Sequence, residues 1–314
     1  MKQIIITNVT IISNLTDISS KKTTFVRFFS ENKFRMKMNE NTVFQLNVKE
    51  ILRTKAPKLH KKIPGFIIVL LSKLICEDKL NELLRKNADV TGVDFMQNLV
   101  NDFQLQLQLK GVENLPDTPC IFASNHPLGG LDGICLSAVL GEHYHKKVRY
   151  LVNDILYFIK PLQDIFIPIN KHGSQAKSAV SSLHEAFASE NQIITFPAGL
   201  CSRKNKGVIR DSKWKKMFIT KSIEYQRDII PVYFEAQNSK IFYTVANLRK
   251  FLGIRFNIEM LLLPSEMFKS KGSTFTIYFG KPIPWQTFDA SHTPQQWAQQ
   301  IEDQTYNTLN NRMV

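Results

Sequence analysis

The spacing of the apolar residues changes once along this chain, close to residue 103, and that change limits the fold class. Before it, apolar side chains recur at helical spacing in four segments, residues 48–54, 65–76, 78–86 and 93–103. Residues 103–109 then read Phe-Gln-Leu-Gln-Leu-Gln-Leu, a strict alternation that is typical of a half-buried β-strand. The sequence therefore predicts an N-terminal helical segment followed by a domain that contains a sheet.

Beyond this point, short apolar strands alternate with amphipathic helices. We predict strands at residues 120–124, 149–152, 165–169, 192–196, 229–235 and 274–279, and helices at residues 132–140, 174–189, 213–225, 242–252 and 294–309. The alternation predicts an α/β domain with a mostly parallel sheet flanked by helices. Ligands of such sheets bind beyond the carboxyl ends of the strands, so residues that directly follow a strand are the candidates for function.

We divide the chain into three parts: a loose extension over residues 1–35, a helical segment over 36–102 and the α/β domain over 103–314. The apolar stretch near the N-terminus lacks the cleavage site of a signal peptide, and Met36 or Met38 is an alternative natural start. In the helical segment, lysines precede an apolar run, residues 63–76, that is too short to span a bilayer. A membrane-docking helix and a core helix are equally good interpretations of this run.

The net charge points to a polyanionic partner. The chain has 41 lysines and arginines against 27 aspartates and glutamates, a formal charge of +14. A nucleic acid, an anionic membrane surface or an acidic carrier protein would suit that charge. Nine basic residues lie from Arg203 to Arg227, but only Trp214 and Phe218 intervene as aromatic residues before Tyr225. Nucleic-acid binding needs more aromatic stacking partners, so we expect no nucleic acid.

A histidine and an aspartate follow the predicted strand at residues 120–124. The stretch Phe122-Ala-Ser-Asn-His-Pro-Leu-Gly-Gly-Leu-Asp132 places His126 and Asp132 on one turn. Histidine is the side chain best suited to accept a proton near neutral pH, and a carboxylate can fix its tautomer and stabilise the imidazolium. Asp132 also stands where a helix is predicted to begin, so a helix cap is the alternative role for it.

A second stretch, Phe196-Pro-Ala-Gly-Leu-Cys-Ser-Arg-Lys204, follows the predicted strand at residues 192–196 and begins the basic run. Arg203 and Lys204 are candidates to hold a phosphate or a carboxylate, and a solvated basic face is the alternative. Cys201 is a candidate nucleophile, but no base is evidently paired with it, so we favour a structural role. The four cysteines show no metal or disulfide spacing, which suits reduced thiols in a cytoplasmic protein.

Together the two stretches resemble the signature blocks of the glycerolipid acyltransferase family, whose best-known members acylate lysophosphatidic acid. The resemblance covers about residues 110–285 and implies an acyltransferase-type sheet with His126 and Asp132 as the catalytic dyad. Four residues separate the two catalytic positions in the family, but five do so here, and Gly129-Gly130 lets the loop accommodate the extra residue. This form is similar to a bacterial branch described as hemolysin-like or lyso-aminolipid acyltransferases.

The resemblance also implies a substrate-binding set. In the family, a Phe-Pro-Glu-Gly-Thr-x-Ser block holds the phosphate of the acceptor, but Ala198 stands at the glutamate position here. This departure weakens any transfer of glycerol-phosphate specificity. Residues 165–170 resemble another block, with Asn170-Lys171 where the family has arginine. The implied substrate-binding residues are Asn125, Gly129, Gly130, Asn170, Lys171, Phe196, Pro197, Gly199, Ser202, Arg203 and Lys204.

These inferences converge on a peripheral O-acyltransferase of membrane lipid biosynthesis at the cytoplasmic face of the bacterial inner membrane. We expect it to move a fatty acyl group from acyl carrier protein or acyl-coenzyme A to the hydroxyl of a lyso-lipid. Lysophosphatidic acid and a lyso-aminolipid are the candidate acceptors, and the aminolipid is slightly favoured. General-base catalysis by His126 on the acceptor hydroxyl is sufficient, because the thiolate of the donor is a good leaving group. We therefore expect no cofactor and no metal. A thioesterase or lipid hydrolase with the same dyad, and a non-catalytic basic membrane-binding protein, are the alternatives.

Overall fold

A computed structural model describes residues 45–55, 57–153, 160–169, 175–254 and 256–310. The N-terminal helices are α1 (Val48–Lys55), α2 (Pro57–His60), α3 (Gly65–Leu74), α4 (Glu77–Lys86) and α5 (Gly92–Asp102). Three parts of the sequence interpretation lie outside the described residues, namely the extension over residues 1–35, Asn170 and Lys171.

The remaining elements form the α/β domain. The strands are β1 (Gln106–Lys110), β2 (Ile121–Ser124), β3 (Val148–Asn153), β4 (Phe166–Ile169), β5 (Gln192–Thr195), β6 (Arg203–Asn205), β7 (Val208–Arg210), β8 (Ile229–Glu235) and β9 (Thr274–Phe279). The helices are α6 (Leu131–His143), α7 (Gln175–Ala188), α8 (Met217–Tyr225), α9 (Lys240–Phe251), α10 (Leu263–Lys269) and α11 (Pro294–Asn310). Short 3-10 helices occur at Val112–Asn114, Lys160–Leu162, Ile258–Leu262 and Trp285–Thr287.

Seven strands form one sheet in the order β1-β9-β8-β2-β5-β3-β4. All neighbouring strands are parallel except β8 and β9, so β1 and β9 run opposite to the other five. The prediction of a mostly parallel sheet flanked by helices is therefore confirmed. Because β2 and β5 are parallel neighbours, the two sequence stretches that follow them begin at the same edge of the sheet.

The hydrophobic core has two layers, one on each face of the sheet. Phe122 of β2 and Ile194 of β5 contribute to the cluster beneath α5 and α6. Their neighbours Ile121 and Ile193 contribute to the other cluster, beneath α7, α8 and α11. Successive side chains of a strand point to opposite faces, so a strand that is covered on both sides must be apolar throughout. This explains why β2 and β5 show no alternation in the sequence.

The strictly alternating segment forms a strand at the edge of the sheet. Phe103 belongs to the buried end of α5, and β1 begins only at Gln106. The strand pairs with β9 alone, and Leu109 is 37% exposed. The alternation thus predicted the strand correctly, and Leu105 and Leu107 pack in part against the core while the intervening glutamines are exposed. Only the end of the strand, at Leu109, is less buried than the alternation predicts.

The antiparallel hairpin of β6 and β7 was not predicted. Its strands are short and charged, so they lack the apolar alternation that identifies a strand. The signal lies in the turn, where Lys206 and Gly207 both have positive φ, 48° and 87°. Two such residues form the tight turn that suits the twist of a hairpin. The helix predicted at residues 213–225 follows the hairpin and is shorter than predicted, since it begins only at Met217.

Helix α3 has two apolar faces with different surroundings. Ile68 on its inner face packs in a small cluster with Val48 and Leu52 of α1. The outer face exposes Phe66, which is 68% accessible, and Leu70, which is 60% accessible. Helix α3 also contacts the 3-10 helix Ile258–Leu262. No helix among the described residues is long and apolar enough to cross a membrane.

Candidate active site

Asn125 extends the pairing of β2 with β8 beyond the last residue of the strand. Its Oδ1 accepts a hydrogen bond from the N–H of Phe234 at 2.6 Å, and its Nδ2 donates to the Phe234 carbonyl at 3.0 Å. The side-chain amide thereby takes the place of a main-chain partner, and the chain turns out of the sheet at His126. Asn125 is buried, and these contacts with the scaffold place the histidine at the strand end.

The carboxylate of Asp132 reaches His126 across the loop. Asp132 Oδ2 lies 3.0 Å from His126 Nδ1 and also accepts the N–H groups of Leu128 at 3.0 Å and Gly129 at 3.3 Å. Its Oδ1 accepts the N–H of Gly133 at 2.9 Å. Asp132 therefore does more than satisfy amides at the start of α6. It organises the turn and orients the imidazole, even with five residues between the pair.

The ring of His126 is held in one orientation. A hydrogen bond to a carboxylate requires Nδ1 to carry the hydrogen, so in the neutral ring Nε2 carries the lone pair. The ring packs against Phe196, with ring centroids 4.1 Å apart. Phe196 belongs to the second stretch, so the structure brings the two signature stretches into direct contact.

Charge raises the pKa of His126 above its ordinary value. Burial lowers the pKa because it disfavours the imidazolium, but the negative charges of Asp132 and Asp211 outweigh that effect. The positive charge of Arg203 lowers the pKa of His126, by a smaller amount. A histidine with this balance accepts a proton readily and holds the resulting charge against its aspartate.

A tight turn fixes the second stretch. Gly199 donates its N–H to the carbonyl of Phe196 at 3.0 Å and adopts a φ of +70°, which favours glycine. The carbonyl of Pro197 accepts the N–H of Lys215 at 3.1 Å. Further along, Ser202 donates its N–H to the carbonyl of His126 at 2.8 Å. The turn thus places Ser202 next to the main chain of His126.

Arg203, predicted to bind an anionic substrate group, is engaged within the fold. Its guanidinium forms an ion pair with Glu259 at 2.8 Å and donates to the carbonyl of Cys201 at 2.6 Å. Glu259 is fully buried and lies 2.8 Å from Arg249 as well. The guanidinium therefore neutralises a buried carboxylate, and only Lys204 of the predicted pair has no acidic partner among the described residues.

The basic run divides into structural and surface residues. Four of its members have internal partners: Arg203, Arg210, Lys221 and Arg227. Arg210 pairs with Glu302, and buried Arg227 donates to main-chain carbonyls, for example that of Phe187 at 2.8 Å. Within the described part of the chain, five lysines form no ion pair, namely Lys204, Lys206, Lys213, Lys215 and Lys216. Within the basic run, these lysines rather than the arginines are therefore available to an anionic partner.

Two clefts open beside the loop that carries His126 and Asp132. The first, of about 440 Å³, is lined by Asn125, Pro127 and Ser202, the residues around His126. The second, of about 530 Å³, is lined by Lys204, Lys240 and Lys269, among others. Both clefts include Ile209 and Gln237 in their walls, so they are neighbours, and we refer to the two together as the groove.

Cys201 is unsuited to nucleophilic catalysis. It is buried, and burial raises the pKa of its thiol to about 11, so it remains protonated near neutral pH. Its Sγ accepts a hydrogen bond from Arg203 at 2.9 Å. These contacts agree with the structural role inferred from the sequence. Among the described residues, no three histidine, cysteine, aspartate or glutamate side chains are grouped to hold a metal ion.

Sequence reasoning missed Asp211 and Glu259 as residues of the site. Asp211 is one of only two acids in the sequence between Arg203 and Arg227. An acid that interrupts such a run was the available signal, because an isolated charge of opposite sign is often retained for a specific partner. Glu259 gave no comparable signal, since its partner Arg203 is more than fifty residues away in the sequence.

The sequence model of the family described as Acyltransferase matches residues 50–313 of this chain. The chain belongs to this family. The lyso-glycine lipid O-acyltransferase of Bacteroides thetaiotaomicron is 50% identical to it over 270 residues, which cover 86% of this chain and 99% of that protein. The protein of the same name from Phocaeicola vulgatus is 49% identical over 271 residues, which cover 86% of this chain and 97% of that protein.

One solved acyltransferase is also similar. The crystal structure of the 1-acyl-sn-glycerophosphate (LPA) acyltransferase PlsC from Thermotoga maritima matches 77% of this chain and 95% of its own chain. The TM-score is 0.43 and the sequence identity is 12%. The family membership predicted from the His126 and Phe196 stretches is thus confirmed by the family match and the two relatives.

The electrostatics of this acyltransferase can be tested without a substrate. We expect the pKa of His126, measured from its imidazole Cε1–H resonance, to lie above the ordinary histidine value, about 6.5. Asp132→Asn should lower that pKa because it removes the negative charge beside Nδ1. The resonances of the other histidines should titrate as before and serve as the control. An unchanged pKa in the variant would contradict the 3.0 Å contact between the two side chains.

Proposed function

We propose that the protein is a lyso-aminolipid O-acyltransferase that acylates the free hydroxyl of a lyso-glycine lipid. One observation carries the chemistry: the buried Asp132 carboxylate lies 3.0 Å from His126 Nδ1 and leaves Nε2 as a base. The acceptor is supported by two relatives about half identical to this chain, both named lyso-glycine lipid O-acyltransferase. The same relatives favour this acceptor over lysophosphatidic acid.

In the proposed reaction, His126 Nε2 removes the proton of the acceptor hydroxyl while its oxygen attacks the thioester carbonyl. The tetrahedral intermediate collapses, the carbon–sulfur bond breaks, and the thiolate leaves with the proton that the imidazolium returns. Asp132 stabilises the imidazolium throughout. General-base help of this kind accelerates a reaction ~100- to 10,000-fold. No covalent acyl-enzyme is required, which agrees with the protonated state of Cys201.

The oxyanion of that intermediate needs a hydrogen-bond donor near the glycine turn. The amides of Gly129 and Gly130 are the candidates, but the Gly129 N–H donates to Asp132 Oδ2 at 3.3 Å. We therefore assign the role to the N–H of Gly130, which caps the N-terminus of α6. The positive end of the helix dipole adds to the stabilisation of negative charge at that position.

The groove supplies a complementary place for the headgroup. Glycine joined to a lipid through its nitrogen presents a free carboxylate. Lys204 and Lys240 line the second cleft, and neither has an acidic partner among the described residues. Lys269 is less available because it pairs with Glu266 at 2.7 Å. We propose that Lys204 and Lys240 hold the carboxylate while the hydroxyl reaches His126, whose sequence neighbours Asn125 and Pro127 line the first cleft.

The donor is an acyl thioester of acyl carrier protein or coenzyme A. Both carry negative charge, on acidic residues or on phosphates. The unpaired lysines at positions 206, 213, 215 and 216 surround the second stretch and would attract either donor. We propose that the protein works as a peripheral protein at the cytoplasmic face of the bacterial inner membrane, where such donors occur.

The outer face of α3 is the proposed membrane contact. Phe66, Val69 and Leu70 recur at helical spacing and all point outward. Exposed Lys61, Lys62 and Lys73 accompany them, so the face combines apolar side chains with positive charge. An anionic membrane is the partner with both complementary properties. A core role for this face is disfavoured, since a core face would be covered.

Acyl transfer by the purified protein tests the reaction. Radiolabelled acyl thioester should yield diacyl product with lyso-glycine lipid, and less with lyso-ornithine lipid or lysophosphatidic acid. His126→Ala should lower the rate ~100- to 10,000-fold. His143→Ala, an exposed histidine outside the site, is the matched control and should retain activity. Product from lysophosphatidic acid alone would contradict the acceptor, and acyl release to water without an acceptor would indicate the hydrolase alternative.

The headgroup assignment is tested by two neighbouring lysines. Lys204→Ala should raise the KM for lyso-glycine lipid about 10- to 100-fold, because a charge-assisted hydrogen bond contributes about 1.5–3 kcal/mol. Lys206→Ala, at the exposed tip of the same hairpin, should change that KM little. Equal effects of the two substitutions would show that the lysines act only through general surface charge.

Vesicle binding tests the outer face of α3. The double substitution Phe66→Ser and Leu70→Ser should weaken binding to vesicles with an anionic lipid by about tenfold or more, because each side chain contributes apolar area to the contact. The matched control is Val180→Ser with Ile223→Ser, which removes exposed apolar side chains from α7 and α8. If the control weakens binding equally, the contact is not specific to α3.

A further inference from the structure

A second buried carboxylate, that of Asp211, lies beside the catalytic loop and has no step in the proposed reaction. Asp211 directly follows β7 and is 8% exposed. It accepts hydrogen bonds from Ser202 Oγ at 2.6 Å, from Trp214 Nε1 at 3.0 Å and from the main-chain N–H of His126 at 3.2 Å. In the described part of the chain, no lysine or arginine forms an ion pair with it.

These contacts favour the ionised form of the side chain. The indole of Trp214 and the N–H of His126 can only donate hydrogen bonds, so both oxygens of Asp211 act as acceptors. Burial raises the pKa of Asp211 above its ordinary value, and the donors act in the opposite direction. A buried carboxylate without a cation is costly to maintain, and such groups cluster at functional sites.

Asp211 completes a closed set of contacts around the main chain of His126. The N–H of His126 donates to Asp211, and its carbonyl accepts the N–H of Ser202 at 2.8 Å. Ser202 Oγ then donates to Asp211 and closes the set. The N–H of Asp211 in turn donates to Tyr306 Oη at 2.9 Å, which ties the set to α11. The base is therefore fixed at both of its peptide groups, independently of its ring.

We infer that Asp211 is a positioning residue for the base, and that it holds the main chain of His126 while Asp132 holds the ring. The inference rests on the proposed function, in which His126 removes the proton of the acceptor. The two carboxylates have separate roles. Asp211 fixes the position of the histidine main chain, and Asp132 fixes the orientation of the imidazole. A displacement of the base by about 1 Å can lower a rate by about 100-fold, so the first task matters as much as the second.

The charge of Asp211 also acts on the imidazole. The charged groups that face His126 are Asp132 from α6, Asp211 after β7 and Arg203 from β6. Both aspartates raise the pKa of the imidazole, and Arg203 lowers it. Removal of the Asp211 charge should therefore lower that pKa. Because the base must be unprotonated to act, the acid limb of the kcat/KM profile should move to lower pH.

The experiment compares two buried acids of the same region. Asp211→Asn should lower kcat about 10- to 100-fold, leave the KM for the acyl donor nearly unchanged and move the acid limb to lower pH. Glu302→Gln is the matched control. Glu302 is also buried and accepts the N–H of Trp214 at 3.0 Å, but it does not contact His126. Its substitution should lower stability without moving the acid limb.

A second variant separates position from charge. Asp211→Glu keeps the negative charge and displaces the carboxylate by one methylene. It should lower kcat and leave the acid limb where it is in the wild type. If its kcat equals that of the wild type, or if Asp211→Asn affects kcat and the acid limb no more than Glu302→Gln does, Asp211 has only a structural role and the inference is overturned.

Titration of His126 separates this inference from the proposed function. The imidazole resonance can be followed in the intact protein without any substrate, and Asp211→Asn should lower the pKa that it reports. If no acceptor yields a product but this pKa still falls, the proposed acceptor fails while the coupling of Asp211 to His126 stands. If product forms and the pKa is the same in the variant and the wild type, the coupling fails while the acyltransferase function stands.

Discussion

The fully buried carboxylate of Asp132 is the constraint on which the rest of the site depends. A carboxylate without water must have its oxygens satisfied by the protein, and here one imidazole and three main-chain amides do so. Those four donors can meet at one point only if the loop after β2 closes tightly over the start of α6. The glycine turn permits that closure, since Gly129 adopts a φ of +78°. Loop shape and imidazole orientation are therefore consequences of a single buried charge.

The distribution of partners between arginine and lysine has a physical reason. All three arginines of the basic run are consumed by the fold, since a planar guanidinium can bind several carboxylate or carbonyl oxygens at once. Five of the six lysines form no ion pair within the described residues, and four of these five are exposed, because an ammonium on a flexible stem retains its hydration at the surface. The fold thus separates charges that build the site from charges available to a substrate or donor.

Packing connects helix α3 to the loop between His126 and Asp132. Helix α3, with its exposed apolar face, contacts the 3-10 helix Ile258–Leu262. The next residue, Leu263, approaches Gly129 so closely that a Cβ there would lie 2.8 Å from Leu263 Cδ1. A short path of packed side chains therefore joins α3, the proposed membrane contact, to the glycine turn between His126 and Asp132.

The sequence by itself determined the architecture and the central pair of residues. Apolar strands alternating with helices require a parallel sheet covered on both faces, and His126 and Phe196 meet because they follow adjacent parallel strands. Only the tertiary structure decided which charged side chains have an ion-pair partner within the fold. Arg203 and Lys204 are indistinguishable as cations in the sequence, but Glu259 forms an ion pair with Arg203 and not with Lys204. Asp211 likewise becomes part of the site only when β7 is folded against the loop. Local patterns encode periodicity, whereas pairing between distant charges depends on distances that exist only in the folded chain.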